Sequence, residues 1–67
     1  MMLQVKLKEF RVLKGLSQQE LAELVNVRRE TIGHLERGEY NPSLKLAFDI
    51  AKVFSVPIEK IFTYTDE

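Results

Sequence analysis

SQQELAELVNVRRETIGHLERG, Ser17 to Gly38, carries two short apolar stripes of helical period with a break between them. Ser17-Gln18-Gln19-Glu20 has the form of a capping box: the Ser17 hydroxyl accepts from a first-turn amide and Glu20 reaches back. Leu21, Ala22, Leu24 and Val25 supply the apolar stripe of the helix that follows. Asn26 fits a turn, because asparagine enters positive φ more easily than any residue but glycine. The next helix is expected over about Arg28 to Arg37, with Ile32 and Leu35 as buried anchors. Gly38 is its natural stop.

Outward from this stretch the pattern stays helical. Leu7, Phe10 and Leu13 recur at helical spacing and predict a helix over about Val5 to Lys14, ended by Gly15. Asn41-Pro42-Ser43 is a turn with a cap. It opens a helix over Leu44 to Phe54 whose inner face is Ala47, Ile50, Ala51 and Phe54, helped by Leu46. Pro57 suits the first turn of a short helical segment near Ile58 to Phe62. Met2-Leu3-Gln4-Val5 and Phe62-Thr63-Tyr64-Thr65 have strand-like residues in partial alternation. The two termini either pair as a small antiparallel ribbon or fray. No linker or repeat divides the 67 residues, so a single domain over 1–67 is expected.

A chain of this size buries about 60% of its unfolded surface, so its stability is marginal and oligomerisation often helps. The 45% apolar and 30% charged composition, with mixed signs, is that of a folded domain rather than a disordered one. The absence of cysteine removes disulfides, thiolate metal sites and thiol nucleophiles, and fits a reducing compartment. Apolar runs are too short to span a membrane, and charges at Lys6, Lys8, Glu9 and Arg11 oppose a signal peptide. A cytoplasmic protein is the expectation. Net charge is zero, where a nucleic-acid-binding domain is usually basic. Its distribution is uneven: seven Lys/Arg against five Asp/Glu in residues 1–38, three against five in residues 39–67.

The buried positions of the central stretch are read as Leu16, Leu21, Ala22, Val27, Ile32 and Leu35. The small Ala22 lets its helix lie close under the next, and Val27 plugs the turn. Such packing holds two helices near a right angle and frees the front of the second to enter a DNA major groove. Alone it is a weak signal, since many helical domains contain such a pair. The longer string is specific. Phe10-Arg11-x-x-Lys14-Gly15-Leu16-Ser17-Gln18-x-Glu20-Leu21-Ala22 is followed by Val27-x-Arg29-x-Thr31-Ile32-x-x-Leu35-Glu36-x-Gly38 and Tyr40-Asn41-Pro42-Ser43-Leu44. It resembles the Cro and phage-repressor helix-turn-helix family, the xenobiotic-response-element type, from about Leu7 to Phe62. Its small stand-alone dimeric members are the most similar in layout.

The resemblance implies an all-α, five-helix domain of lambda-repressor type with the helix-turn-helix at about 17–37. It implies a transcriptional regulator, a repressor by family precedent, bound to a palindromic operator in double-stranded DNA as a homodimer. Arg28, Arg29, Glu30 and His34 fall on base-reading positions. Arg29 can donate two hydrogen bonds to guanine O6 and N7, and Arg28 can do this or hold a phosphate. Glu30 departs from the family's frequent glutamine. It either accepts from cytosine N4 or pairs with Arg28, Arg29 or His34 and reads no base. Arg28 also stands where a Ser or Thr cap is usual, at a loss of about 1 kcal/mol of capping.

Ser17 and Gln18, at a helix N-terminus, fall where the family contacts a DNA phosphate, or Gln18 is merely an exposed first-turn residue. Lys14, Arg37, Tyr40, Asn41 and Ser43 lie where the family grips the DNA backbone or are plain surface. Arg11 and Glu36 match an internal salt bridge between the first and third helices. The many apolar groups near the chain end, Ile58, Ile61, Phe62 and Tyr64, form the dimer interface or close the monomer core.

Enzyme chemistry is not expected. There is one histidine and no glycine-rich phosphate loop, and Glu30 with His34 gives only two ligands, so no metal or other cofactor is implied. No small-molecule effector domain is expected within these 67 residues. A rival reading keeps the fold and changes the partner: antitoxins and coactivators of similar sequence hold proteins instead.

Overall fold

The computed structural model describes residues 2–39 and 41–66. Strand β1 (Met2–Val5) leads into helices α1 (Leu7–Leu13), α2 (Gln18–Leu24), α3 (Arg29–Glu36) and α4 (Leu44–Phe54). A 3-10 turn (Ile58–Lys60) and strand β2 (Phe62–Thr65) follow. The fifth helix of the expected architecture is therefore only this turn, with Pro57 as its N-cap residue rather than inside its first turn. No helix among the described residues is long and apolar enough to cross a membrane.

The termini pair. β1 and β2 run antiparallel with Leu3 opposite Tyr64 and Val5 opposite Phe62. The Lys6 amide donates to the Ile61 carbonyl at 2.8 Å, carrying the ladder one step further. Val5 and Phe62, which the sequence places both at helix ends and in the strand-like termini, belong to this ribbon. Pairing with each other satisfies backbone groups that a frayed helix end would leave open.

Local chemistry sets the helix boundaries. The capping box of α2 is complete: Glu20 N donates to Ser17 Oγ at 3.0 Å, and Ser17 N to Glu20 Oε1 at 2.8 Å. Ser43 Oγ caps α4 by accepting from Leu46 N at 3.1 Å. Arg28 caps α3 with backbone alone. All four helices close in one way, on a left-handed residue at Gly15, Asn26, Gly38 and Ser55. In each closure the next amide reaches back to a carbonyl of the last turn: Leu16 to Arg11, Val27 to Ala22, Glu39 to His34 and Val56 to Ala51. This is the Schellman pattern. Asn26 and Ser55 adopt it without being glycine, at φ of 59° and 55°.

Leu7, Leu21, Ala22, Ile32, Leu35, Ile50 and Ile61 are fully buried and form the centre of the core. Phe10 and Phe54 close one side, their ring centroids 5.8 Å apart. Two residues read as core are not. Leu13 is 86% exposed and Leu24 58%. Each i+3 step drifts about 60° around a helix, so Leu13 has left the Leu7 face after two such steps. Leu24 likewise falls outside the arc of Leu21, Ala22 and Val25.

Candidate nucleic-acid interface

Helix α3 is held from below and free above. Ile32, Gly33 and Leu35 are buried against α2 and the core, while Arg28, Arg29, Glu30 and His34 are exposed. Burial of Ile32 and Leu35 contributes about 2 kcal/mol each, which fixes the rotation of the helix about its axis. Arg29, Gly33 and Arg37 are spaced four apart and share one stripe; Glu30 and His34 share the next.

Among the described residues, Arg28, Arg29 and Glu30 take part in no ion pair. Glu30 does not pair with His34, which meets another carboxylate. His34 Nδ1 lies 2.7 Å from Glu39 Oε1. Arg37 donates Nε to Glu39 Oε2 at 2.9 Å and Nη2 to Oε1 at 3.3 Å. The hydrogen bond from Arg37, then the contact with His34, pulls the Glu39 carboxyl down to about 2, and the same carboxylate raises the Arg37 guanidinium above its ordinary value. Nothing in the sequence marks Glu39, although it stands between the predicted phosphate contacts Arg37 and Tyr40.

Beneath this surface lies a second Arg–Glu pair. Arg11 Nε donates to Glu36 Oε2 at 2.6 Å and Nη2 to Oε1 at 3.3 Å. Arg11 Nη1 donates to the Leu16 carbonyl at 2.8 Å. The side chains are 11% and 5% exposed. Gln18 Nε2 donates to Glu36 Oε1 at 3.0 Å, so the pair also sets the direction of Gln18 at the start of α2. Gly33 makes room above: a Cβ there would meet Arg37 Nη1 at 3.5 Å and Gln18 Nε2 at 3.9 Å. The side chains of Gln18 and Arg37 therefore lie side by side over Gly33.

Lys14, Ser17, Asn41 and Ser43 are exposed around this area. The Ser17 and Ser43 oxygens serve as helix caps, which leaves each hydroxyl hydrogen to donate elsewhere. Tyr40 lies outside the described residues. The predicted dimer group divides. Ile61 and Phe62 are 1% and 9% exposed and close the monomer core, because β2 and the 3-10 turn turn them inward. Tyr64 is half-exposed and Ile58 partly buried; with the edge of Phe62 they line an open apolar groove of about 380 Å³ bounded also by Leu3, Pro42 and Leu44.

Residues 7–61 match the helix-turn-helix family HTH_3. An uncharacterised HTH-type transcriptional regulator of Archaeoglobus fulgidus is 52% identical over 65 residues, covering 97% of this chain and 93% of that protein. The restriction-modification controller protein C.AhdI of Aeromonas hydrophila superposes with a TM-score of 0.73 at 37% identity, over 81% of this chain and 82% of its own. PlcR of Bacillus thuringiensis, solved in complex with the peptide PapR7 and DNA, superposes with a TM-score of 0.77 at 30% identity, over 91% of this chain and 22% of its own.

Proposed function

Because the chain belongs to the HTH_3 helix-turn-helix family and is a DNA-binding transcription regulator, we propose that α3 reads its operator from the major groove as one half of a homodimeric repressor. The observation that carries this reading is the exposed start of α3, where Arg28, Arg29 and Glu30 take part in no ion pair among the described residues and stand over buried Ile32 and Leu35. Arg29 donates to guanine O6 and N7, a contact worth about 1–3 kcal/mol of discrimination. Arg28 neutralises a phosphate or reads the neighbouring base. Glu30, a pure acceptor, selects cytosine N4 and rejects bases that offer only acceptors. Gln18, Lys14, Ser17, Asn41 and Ser43 hold the backbone on either side and set the angle of α3 in the groove.

Dimerisation supports the reading energetically. One short helix with no net charge behind it binds weakly, and a two-fold pair places two reading helices about 34 Å apart on successive turns of DNA. The groove of Leu3, Leu44, Ile58 and Tyr64 is the surface for this pairing; Phe48, one turn beyond Leu44 and half-exposed, extends it. Selection of binding sites from random DNA tests the proposal, with a two-fold symmetric consensus expected. Arg29→Ala then loses preference at one base pair per half-site. A uniform loss across all sequences makes Arg29 a backbone clamp, and an asymmetric consensus rules out the dimer.

A further inference from the structure

We propose that Glu39 is a built-in competitor of the DNA backbone, holding Arg37 and His34 on a carboxylate that competes with a phosphate for them. This rests on the reading that the α3 face meets DNA. The placement of Glu39 is fixed by backbone rather than by its side chain. Gly38 turns left-handed at φ 70°, its amide donates to the Leu35 carbonyl, and the Glu39 amide donates to the His34 carbonyl, each at 3.0 Å. The closure folds Glu39 back over the end of α3, where its carboxylate takes two donors of Arg37 and lies within hydrogen-bond distance of His34 Nδ1. An ionised carboxylate only accepts, so the ring carries a hydrogen on Nδ1. Arg37 Nη2, 3.1 Å from the same nitrogen, is then a close neighbour and not its donor.

Two facts distinguish this cluster from an ordinary surface pair. The first is its place. Arg37 shares a stripe with Arg29 and lies over Gly33 beside Gln18, so its guanidinium is at the edge of the surface assigned to DNA. The second is its form. Glu39 takes the Nε–Nη2 edge of the Arg37 guanidinium, one of the two edges on which an arginine can hold a phosphate, and its charge opposes a phosphate at that place. Stability does not call for the arrangement: the three side chains are about half-exposed, and such pairs contribute little to folding. In a chain of zero net charge, an acid here cancels an arginine where it would add most to non-specific binding. The cluster therefore lowers affinity for DNA in general and leaves discrimination to base contacts.

Equilibrium binding of the full chain to its selected duplex, measured across salt concentrations, tests this with Glu39→Gln, which keeps the shape and removes the charge. The variant is expected to bind about 3- to 10-fold more tightly at low salt, with non-specific DNA gaining at least as much. Its log–log salt slope steepens by about 0.9, the signature of one more neutralised phosphate. Adding Arg37→Ala to Glu39→Gln abolishes the gain. A Glu39→Gln protein with unchanged or weaker binding and an unchanged slope overturns the proposal, and means that Glu39 positions Arg37 for DNA instead. If neither the wild type nor the variant binds any duplex, the assignment of the α3 face falls and the competitor with it. Matching thermal unfolding of the two proteins excludes a folding defect as the cause.

Discussion

Two arginine–glutamate pairs, Arg11–Glu36 and Arg37–Glu39, lie at the end of α3 and differ in almost everything except chemistry. Each is a two-pronged contact between a guanidinium and a carboxylate. The first is nearly buried, at 11% and 5% exposure; the second is open to water, at 57% and 49%. The buried pair draws in the Leu16 carbonyl and the Gln18 amide, so it ties α1, the start of α2 and the end of α3 into one unit. The exposed pair ties only the end of α3 to the loop beyond it. The comparison teaches that burial, not partner identity, decides what an ion pair does. A buried pair cannot lose one member without stranding a charge in a poorly solvated site. An exposed pair can exchange its partner for water, salt or a phosphate at little loss.

The largest expected effect breaks the buried pair. Arg11→Ala leaves Glu36 without its main partner and is expected to destabilise the fold by about 3 kcal/mol. For a domain of this size that lowers the melting temperature by roughly 15 °C, read by circular dichroism. Arg37→Ala is the control on the exposed pair, and its melting temperature should stay within about 3 °C of wild type. Equal losses in the two variants would erase the distinction.

The smaller effect sharpens the exposed pair. The Glu39 carboxyl is held at about 2, first by Arg37 and then by His34. A depressed native value means that the pair contributes stability above the ordinary 4.5 and loses it as pH falls through about 2. The contribution is small because water and salt screen it. The direct observable is the side-chain carboxyl shift of Glu39 followed by NMR between pH 1.5 and 6, a window chosen to span roughly both values. A midpoint near 2 is expected in the wild type, moving up toward 4.5 in Arg37→Ala. A midpoint already near 4.5 in the wild type means that the contact is not populated in solution.

The sequence made one of these pairs visible and hid the other. Arg11 and Glu36 were matched through the motif string that surrounds them, not through any local rule, since they stand 25 residues apart. Arg37 and Glu39 are two apart, and residues so spaced on a helix do not face one another. Only the left-handed closure at Gly38 brings them together. The same logic runs through the fold. Signals confined to a few residues were legible: the Ser17–Glu20 capping box, Asn26 as a turn, and the span of α4. Leu13 and Leu24 are apolar within helical segments, yet the angle each occupies around its helix carries it off the buried face. The pairing of the termini stayed open in the sequence, since strand-like residues do not announce their partners. Ile61 and Phe62 were grouped with Tyr64 for the same reason: only the course of β2 separates the buried from the exposed.

DNA is expected to meet the chain along the start of α2, the exposed face of α3 and the loop beyond it. Titrating the ¹⁵N-labelled protein with its selected duplex measures this residue by residue. Amide shifts are expected at Ser17 to Glu20, Arg28 to His34 and Arg37 to Ser43, with the groove of Leu3, Leu44, Ile58 and Tyr64 left unchanged from the DNA-free protein. Shifts centred on that groove, with Arg28 to His34 unmoved, would contradict the account.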